Sequence, residues 1–382
     1  MLNLPENFKS YSEARQEGFI RLKGLKESGK KVVGVFCSYT PTELILAADA
    51  VPVGLCGASE DPISYAEKTL PKNLCPLIKS SYGFAASDTC PYFYFSDLVV
   101  GETTCDGKKK MFEWMNEIKP THVMQLPPGR TSGTALATWH SEMQRLKDVL
   151  SRTLQVEITD DNLRQAIHLK NRERKAILDF YDIGCLKPTP LSGYEINTLI
   201  DSNTFLFDTE EKIAILEKRT AELREDYEKN FKGKSSRPRI LITGCPTGGV
   251  REKIIRRIEE LGANIVGFEN CSGPREQKDM VDENKDPLLA LAEKYLRVNC
   301  SVMSPNPQRI EAMDEMIENY QVDGVIEVIL QACHTFAIES SRIKKFVTEQ
   351  KHLPYLCLET DYSQGDTGQI DTRISAFLEI LA

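Results

Sequence analysis

Eleven cysteines are spread through 382 residues, at positions 37, 56, 75, 90, 105, 185, 245, 271, 300, 333 and 357. A thiol can form a disulfide, ligate a soft metal, act as a nucleophile or fill a core. The count is odd and Met1 to Ser10 carries no leader pattern, so a disulfide framework is not expected. No C-x₂₋₄-C pair of the structural-zinc kind is present, and no C-x₂-C-x₂-C run of the compact ferredoxin kind. Thiolates favour iron–sulfur clusters or zinc, and five scattered histidines do not build an imidazole site. Cysteines drawn singly from loops suit a cluster in the cleft between two domains.

Their contexts sharpen this. Cys37 follows the apolar run Lys31 to Phe36, Cys245 follows Arg239 to Gly244, Cys271 follows Asn264 to Asn270, and Cys333 follows Gly324 to Ala332. In open α/β sheets, ligands gather outside the carboxyl ends of the strands. Cys300 lies in the loop Arg297 to Ser301, and Cys75 and Cys105 stand in turn-like contexts beside the last strands of the first half. Cys357, Cys56 and Cys185 read as small buried hydrophobes, although Cys37, Cys56 and Cys90 stay in contention as ligands. His334, next to Cys333, is either a helix-start residue bonded to a backbone carbonyl or a hydrogen-bond or proton donor near the cluster. Glu102, near Cys105, is a candidate catalytic group or a solvated loop residue. Asp106-Gly107 reads as a turn before a helix. In Gly244-Cys245-Pro246-Thr247-Gly248-Gly249 free amides at a helix start could bond cluster sulfurs or an anion. Val250-Arg251 stand where a P-loop needs Lys-Ser/Thr, and the G-x-G-x-x-G spacing is missing, so nucleotide binding is set aside.

The elements that must hold these residues can be read from periodicity. Lys31 to Phe36, Val51 to Leu55, Asp97 to Val100 and Thr121 to Leu126 read as strands, with helices over Thr42 to Ala50 and Lys108 to Ile118. From His140 to Phe231 the pattern is helical and highly charged. Lys229 to Pro238 reads as a linker. Arg239 to Thr243, Asn264 to Phe268, Gly324 to Leu330 and Tyr355 to Leu358 read as strands. Helices are expected over Gly248 to Leu261, Pro307 to Tyr320, Thr335 to Gln350 and Thr367 to Leu381. The expectation is α/β: two doubly wound parallel-sheet (Rossmann- or flavodoxin-like) domains, 1–139 and 237–382, with a helical segment and linker over 140–236.

Composition agrees with a globular chain. Hydrophobic residues make up 41% and charged residues 27%, enough for two cores. The net charge of −8 argues against nucleic acid as the main partner. The most apolar stretch, Leu44 to Cys56, is short and interrupted by Asp49 and Pro52, so no membrane span is expected and the location is read as cytoplasmic.

Several long segments resemble the 2-hydroxyacyl-CoA dehydratase family and, within it, the double-cubane cluster proteins. They begin at Cys37 (CSYTPTELILAADAVPVGLC), Leu70 (LPKNLCPLIKSSYGF), Cys90 (CPYFYFSDLVVGETTCDGKKKMFEWM), His122 (HVMQLP) and Leu169 (LKNRERKAI). The second half adds segments from Arg237 (RPRILITGCPTGGVREK), Gly267 (GFENCSG), Lys294 (KYLRVNCSVMSPNPQR), Val322 (VDGVIEVILQACHTFAIES) and Leu358 (LETDYSQGDTGQ). The resemblance implies two α/β domains with the cluster between them, and electron delivery by a separate ATP-hydrolysing [4Fe–4S] activator. It implies that Cys75, Cys105 and Cys333 hold one cubane. Cys245, Cys271 and Cys300 would complete a double-cubane [8Fe–9S] cluster, with Cys37 in reserve. It further implies a homodimer and reduction of a small unsaturated substrate.

Other readings remain open. A [4Fe–4S] subunit of a 2-hydroxyacyl-CoA dehydratase or acyl-CoA reductase would need a second, different chain. An electron carrier or cluster scaffold would show no ATP-coupled turnover. A structural zinc protein would be colourless and redox-silent.

Overall fold

The computed structural model describes residues 13–271 and 273–381, and the stretch Met1 to Ser10 lies outside the described residues. The chain forms two compact units. One takes Met1–Arg174, Asp201–Lys212 and Asp279–Val298, and the other takes Lys175–Ile200, Ile213–Lys278 and Asn299–Ala382. The central helices are therefore shared out between the units.

The first unit holds a parallel sheet of β1 (Lys31–Val35), β2 (Ala50–Gly54), β3 (Leu98–Glu102) and β4 (Thr121–Met124), in the order β2-β1-β3-β4. β3 is buried along its whole length, as expected of a parallel strand covered on both faces. Helix Asp106–Ile118 packs on β3 and β4, helix Pro91–Phe95 on β1, and helix Pro76–Ala86 on both of these helices. Helix Ala135–Leu154 presents Trp139, Met143, Leu146, Leu150 and Leu154, three to four residues apart, as a buried stripe. It packs on helix Pro287–Leu296, whose N-cap Asp286 accepts a hydrogen bond from the Leu289 amide at 2.9 Å. The helical start at Thr42–Ala47 carries Glu43, which is fully buried. Arg174 and Tyr295 satisfy its two carboxylate oxygens at 2.5 and 2.8 Å.

The second unit repeats the plan with β5 (Arg239–Gly244), β6 (Asn264–Glu269), β7 (Gly324–Leu330) and β8 (Tyr355–Thr360), all parallel, in the order β6-β5-β7-β8. β5 and β7 are buried end to end. Leu241, Val266 and Val325 from the sheet meet Met313, Ile317, Ile343 and Val347 from the helices in one core. Each such side chain contributes about 1.5–3 kcal/mol through burial.

The α/β class with two parallel sheets and extra helices is thus what the chain adopts. One expected helix differs: Gly248 to Leu261 is a 3₁₀ turn (Gly248–Val250), a wider-wound stretch (Arg251–Arg256) and a short α-helical end (Arg257–Glu260). Among the described residues no helix is long and apolar enough to cross a membrane.

Candidate functional site

In both sheets the order reverses between the first and third strands, β1/β3 and β5/β7, so each unit has its switch-point crevice at the carboxyl ends of those strands. The cysteines sit there with a common plan. Cys37, Cys56 and Cys105 follow β1, β2 and β3, and Cys245, Cys271 and Cys333 follow β5, β6 and β7.

In the first unit two proposed ligands are helix caps. Cys75 is the N-cap of helix Pro76–Ala86 and Cys105 the N-cap of helix Asp106–Ile118. Their carbonyls accept the first helical hydrogen bonds, from Lys79 at 3.1 Å and Lys109 at 2.9 Å. Neither side chain caps its own helix. Each sulfur is therefore held at the positive end of a helix dipole, where a thiolate is stabilised. The two caps are drawn together at Gly107, where an added Cβ would stand 2.9 Å from both Leu74 and Ile78.

Beside them lies Lys108, which is buried and donates to the Phe36 carbonyl at 3.1 Å, a carbonyl that also accepts from Cys56 Sγ at 2.8 Å. Burial alone would lower the Lys108 pKa. Cys37, Cys56, Glu102 and Cys105 around it outweigh burial and raise it. Glu102, the last residue of β3, is fully buried rather than a solvated loop residue. Burial pushes its carboxyl up to about 7, against the opposing pull of Lys108 and a hydrogen bond from Thr40. Its Oε2 atom has no partner among the described residues, and neither has the buried Ser38 hydroxyl beside Cys37. Cys56 is exposed, which corrects its reading as a buried thiol, and Cys90 is the buried N-cap of helix Pro91–Phe95.

The second unit collects four candidates. Cys245 is buried, and its sulfur accepts from the Leu330 amide at 3.3 Å. The turn that places it needs Gly244, with φ +106° and 2.2 Å between an added Cβ and the Val328 carbonyl. Cys333 is the N-cap of helix His334–Lys345 and is preceded by Ala332 at φ 57°, a strained conformation for a residue with a side chain. Thr335 Oγ1 lies 3.9 Å from Cys333 Sγ and accepts from the Ser301 hydroxyl at 3.0 Å, so the Cys300 loop meets the Cys333 helix. Cys300 is buried, and burial pushes its thiol up to about 11 although Arg275 opposes this. Cys271 is exposed, with Arg275 Nη1 3.8 Å from its sulfur.

Arg275 belongs to a buried network. Glu269 accepts from Arg275 and Arg309, and Arg309 reaches on to Glu327, Glu339 and Thr243. The remaining candidates fall outside these groups. His334 is exposed in the first turn of its helix. Cys185 and Cys357 are half-buried thiols, raised chiefly by burial, Cys185 to about 11.

Lys108 and Arg275 do not stand out in the sequence, where each is one cation among many. Cys-Pro at 75–76 and 90–91 is the readable sign of two helices that periodicity does not show, since proline favours the first helical position. Among the described residues no three His, Cys, Asp or Glu side chains converge on one ion. Taken unit by unit, the donors nevertheless suit an anionic, sulfur-held group: in the first, thiols at two helix starts, buried Lys108 and unpartnered buried oxygens at Ser38 and Glu102; in the second, a thiol at a helix start and buried Arg275 beside Cys271.

Comparison with known proteins gives a consistent pattern. Residues 37–381 match the family model of the 2-hydroxyglutaryl-CoA dehydratase D-component. The chain is 52% identical over 379 residues to the protein named "Putative dehydratase subunit YjiM" of Escherichia coli K12, covering 99% of both chains. It is 25% identical over 364 residues to the (R)-phenyllactyl-CoA dehydratase beta subunit of Clostridium sporogenes, covering 94% of each. It is 24% identical over 394 residues to a benzoyl-CoA reductase subunit of Thauera aromatica, covering 94% of this chain and 90% of the relative.

Proposed function

The chain belongs to the 2-hydroxyglutaryl-CoA dehydratase D-component family, and on that premise we propose that it is the iron–sulfur component of a reductase acting on a small unsaturated substrate. Cys75 and Cys105 of the first unit and Cys245, Cys271, Cys300 and Cys333 of the second supply the thiolates for a double-cubane [8Fe–9S] cofactor. Cys37 stands in reserve after β1. The observation that carries this reading is the placement of the cysteines. Three are N-caps whose side chains make no capping hydrogen bond, two more follow β5 and β6, and Cys300 lies in a loop tied to the Cys333 helix through Ser301 and Thr335.

The cofactor supplies electrons at low potential when bound. The chain's own residues do the rest. Helix-start amides and the buried cations compensate thiolate charge. Glu102, with its pKa near neutrality and one oxygen unpartnered, can hold and deliver a proton at Oε2. The exposed His334 is a second proton-donor candidate. A separate ATP-hydrolysing iron–sulfur activator would deliver electrons one at a time, in the cytoplasm, to a homodimer of this chain.

The Clostridium sporogenes relative, named as a dehydratase beta subunit, favours one other reading, a [4Fe–4S] subunit of a 2-hydroxyacyl-CoA dehydratase or acyl-CoA reductase. Iron and acid-labile sulfide per protomer, measured on protein purified without oxygen, separate the two. Roughly eight irons are expected, and about four would favour the single-cubane reading. Cys333→Ser should lose iron and colour while Cys357→Ser keeps both. Full iron in both variants would overturn the ligand set.

A further inference from the structure

A guanidinium withdrawn from water is costly unless it is paired and hydrogen-bonded. Arg275 is such a group, its side chain only 1% exposed. It sits in a loop four residues after Cys271, and three bonds to one residue fix it there. Nε and Nη2 donate to Glu269 Oε1 at 3.0 and 2.8 Å, and Nη2 also donates to the Glu269 carbonyl at 3.0 Å. The guanidinium plane is thereby set, and its Nη1 edge lies 3.8 Å from Cys271 Sγ. Glu269 does not neutralise Arg275 alone, because its other oxygen accepts from Arg309 Nε at 3.0 Å. One carboxylate thus serves two guanidinium groups. Arg309 spends its remaining nitrogens on Thr243, Glu327 and Glu339, at 2.8, 3.1 and 2.7 Å. Arg275 makes no such second ion pair among the described residues, and what lies along its remaining edge is sulfur. Cys300 feels the same charge.

We infer that Arg275 is a positioning residue that sets the reduction potential of the group held by Cys271 and Cys300. This rests on the reading that those two cysteines are ligands. Each electron added to a thiolate-held cluster adds negative charge. A fixed cation at this distance favours the reduced form, and hydrogen bonds to ligand sulfur act in the same direction. The Glu269 clamp keeps the cation from swinging into solvent.

The test uses the full chain purified without oxygen, as the parent and as Arg275→Gln, Arg275→Lys and Glu269→Gln. Two quantities are read: iron per protomer, and the midpoint potential from a redox titration followed by absorption and electron paramagnetic resonance. Arg275→Gln is expected to keep its iron and shift the equilibrium at least tenfold toward the oxidised form, about 59 mV for one electron. Arg275→Lys, which keeps the charge, should recover most of that shift. Glu269→Gln removes the anion but keeps a side-chain oxygen and the backbone carbonyl that can still accept from the guanidinium, so the cation stays in place and the midpoint should move the opposite way. Midpoints within twofold of the parent in the iron-loaded variants overturn the inference. If Arg275→Gln fails to load, the sign of the Glu269→Gln shift decides, a rise supporting the role and any other result sinking it. Cys271→Ser with undiminished iron would instead remove the ligand reading on which the inference stands.

Discussion

At the scale of single residues, Glu102 carries the sharpest consequence. Its carboxyl prefers the neutral form in the folded chain, with a pKa of about 7 against an ordinary 4.5, because burial penalises the charge. Such a group contributes stability that is fully present below the ordinary pKa and is lost as pH rises through the folded one. Lys108 does not offset this, since its raised pKa leaves it charged across the whole window. Between pH 5 and 8 the iron-free protein should therefore lose stability on the order of 3 kcal/mol from this residue. Glu102→Gln should flatten that slope, and urea unfolding at several pH values measures it. A parent and variant with the same slope would show that the carboxyl finds charge compensation elsewhere. In the sequence this residue is visible only as a loop carboxylate. What hides it is that burial at the end of β3 is a tertiary fact, as is the closeness of Lys108 to Cys37 and Cys56, distant in the chain.

At the scale of elements, the strands are legible because parallel strands buried on both faces are unbroken apolar runs, as in Gly324 to Leu330. The short helices Pro76–Ala86, Pro91–Phe95 and Pro287–Leu296 are not, since their prolines look like breaks when met singly. Yet two of them begin immediately after a cysteine, so one of the sulfurs proposed as a ligand, that of Cys75, is placed by an element hidden in the sequence. One glycine ties these elements to the site, and a second, far from it, serves as its control. Gly107→Val should push aside the side-chain ends of Leu74 and Ile78, each 2.9 Å from an added Cβ, shift the starts of helices Pro76–Ala86 and Asp106–Ile118 relative to one another and lower the iron content. Gly24, in helix Glu13–Glu27, has nothing within 4 Å of an added Cβ. Its replacement by Ala should keep iron and gain about 0.5–1 kcal/mol. Equal iron in the two variants would mean that the caps need not be held together.

At the scale of the whole molecule, the two sheets share one strand order and place cysteines after the same three strands. The halves differ in what they add, Cys75 in one and Cys300 with its Arg275 neighbour in the other. The reading of one chain supplying all six ligands makes a prediction about assembly. Native mass spectrometry of the anaerobically purified 43.1 kDa chain should show a homodimer carrying full iron with no second kind of subunit. A chain that holds full iron only when expressed with a different partner would favour the dehydratase-type arrangement.

The allotment of segments to units also governs how the protein is made. The first unit is completed by Asp279–Val298, which the ribosome delivers only after β5 and β6 of the second. Until then the stripe from Trp139 to Leu154 lacks its cover from helix Pro287–Leu296. At roughly 5–20 residues per second, the nascent chain spends several seconds with that stripe exposed. Co-translational folding therefore cannot proceed one finished domain at a time. A gene fragment ending at the linker before Arg239 would encode an open core that calls for a chaperone rather than a half-enzyme.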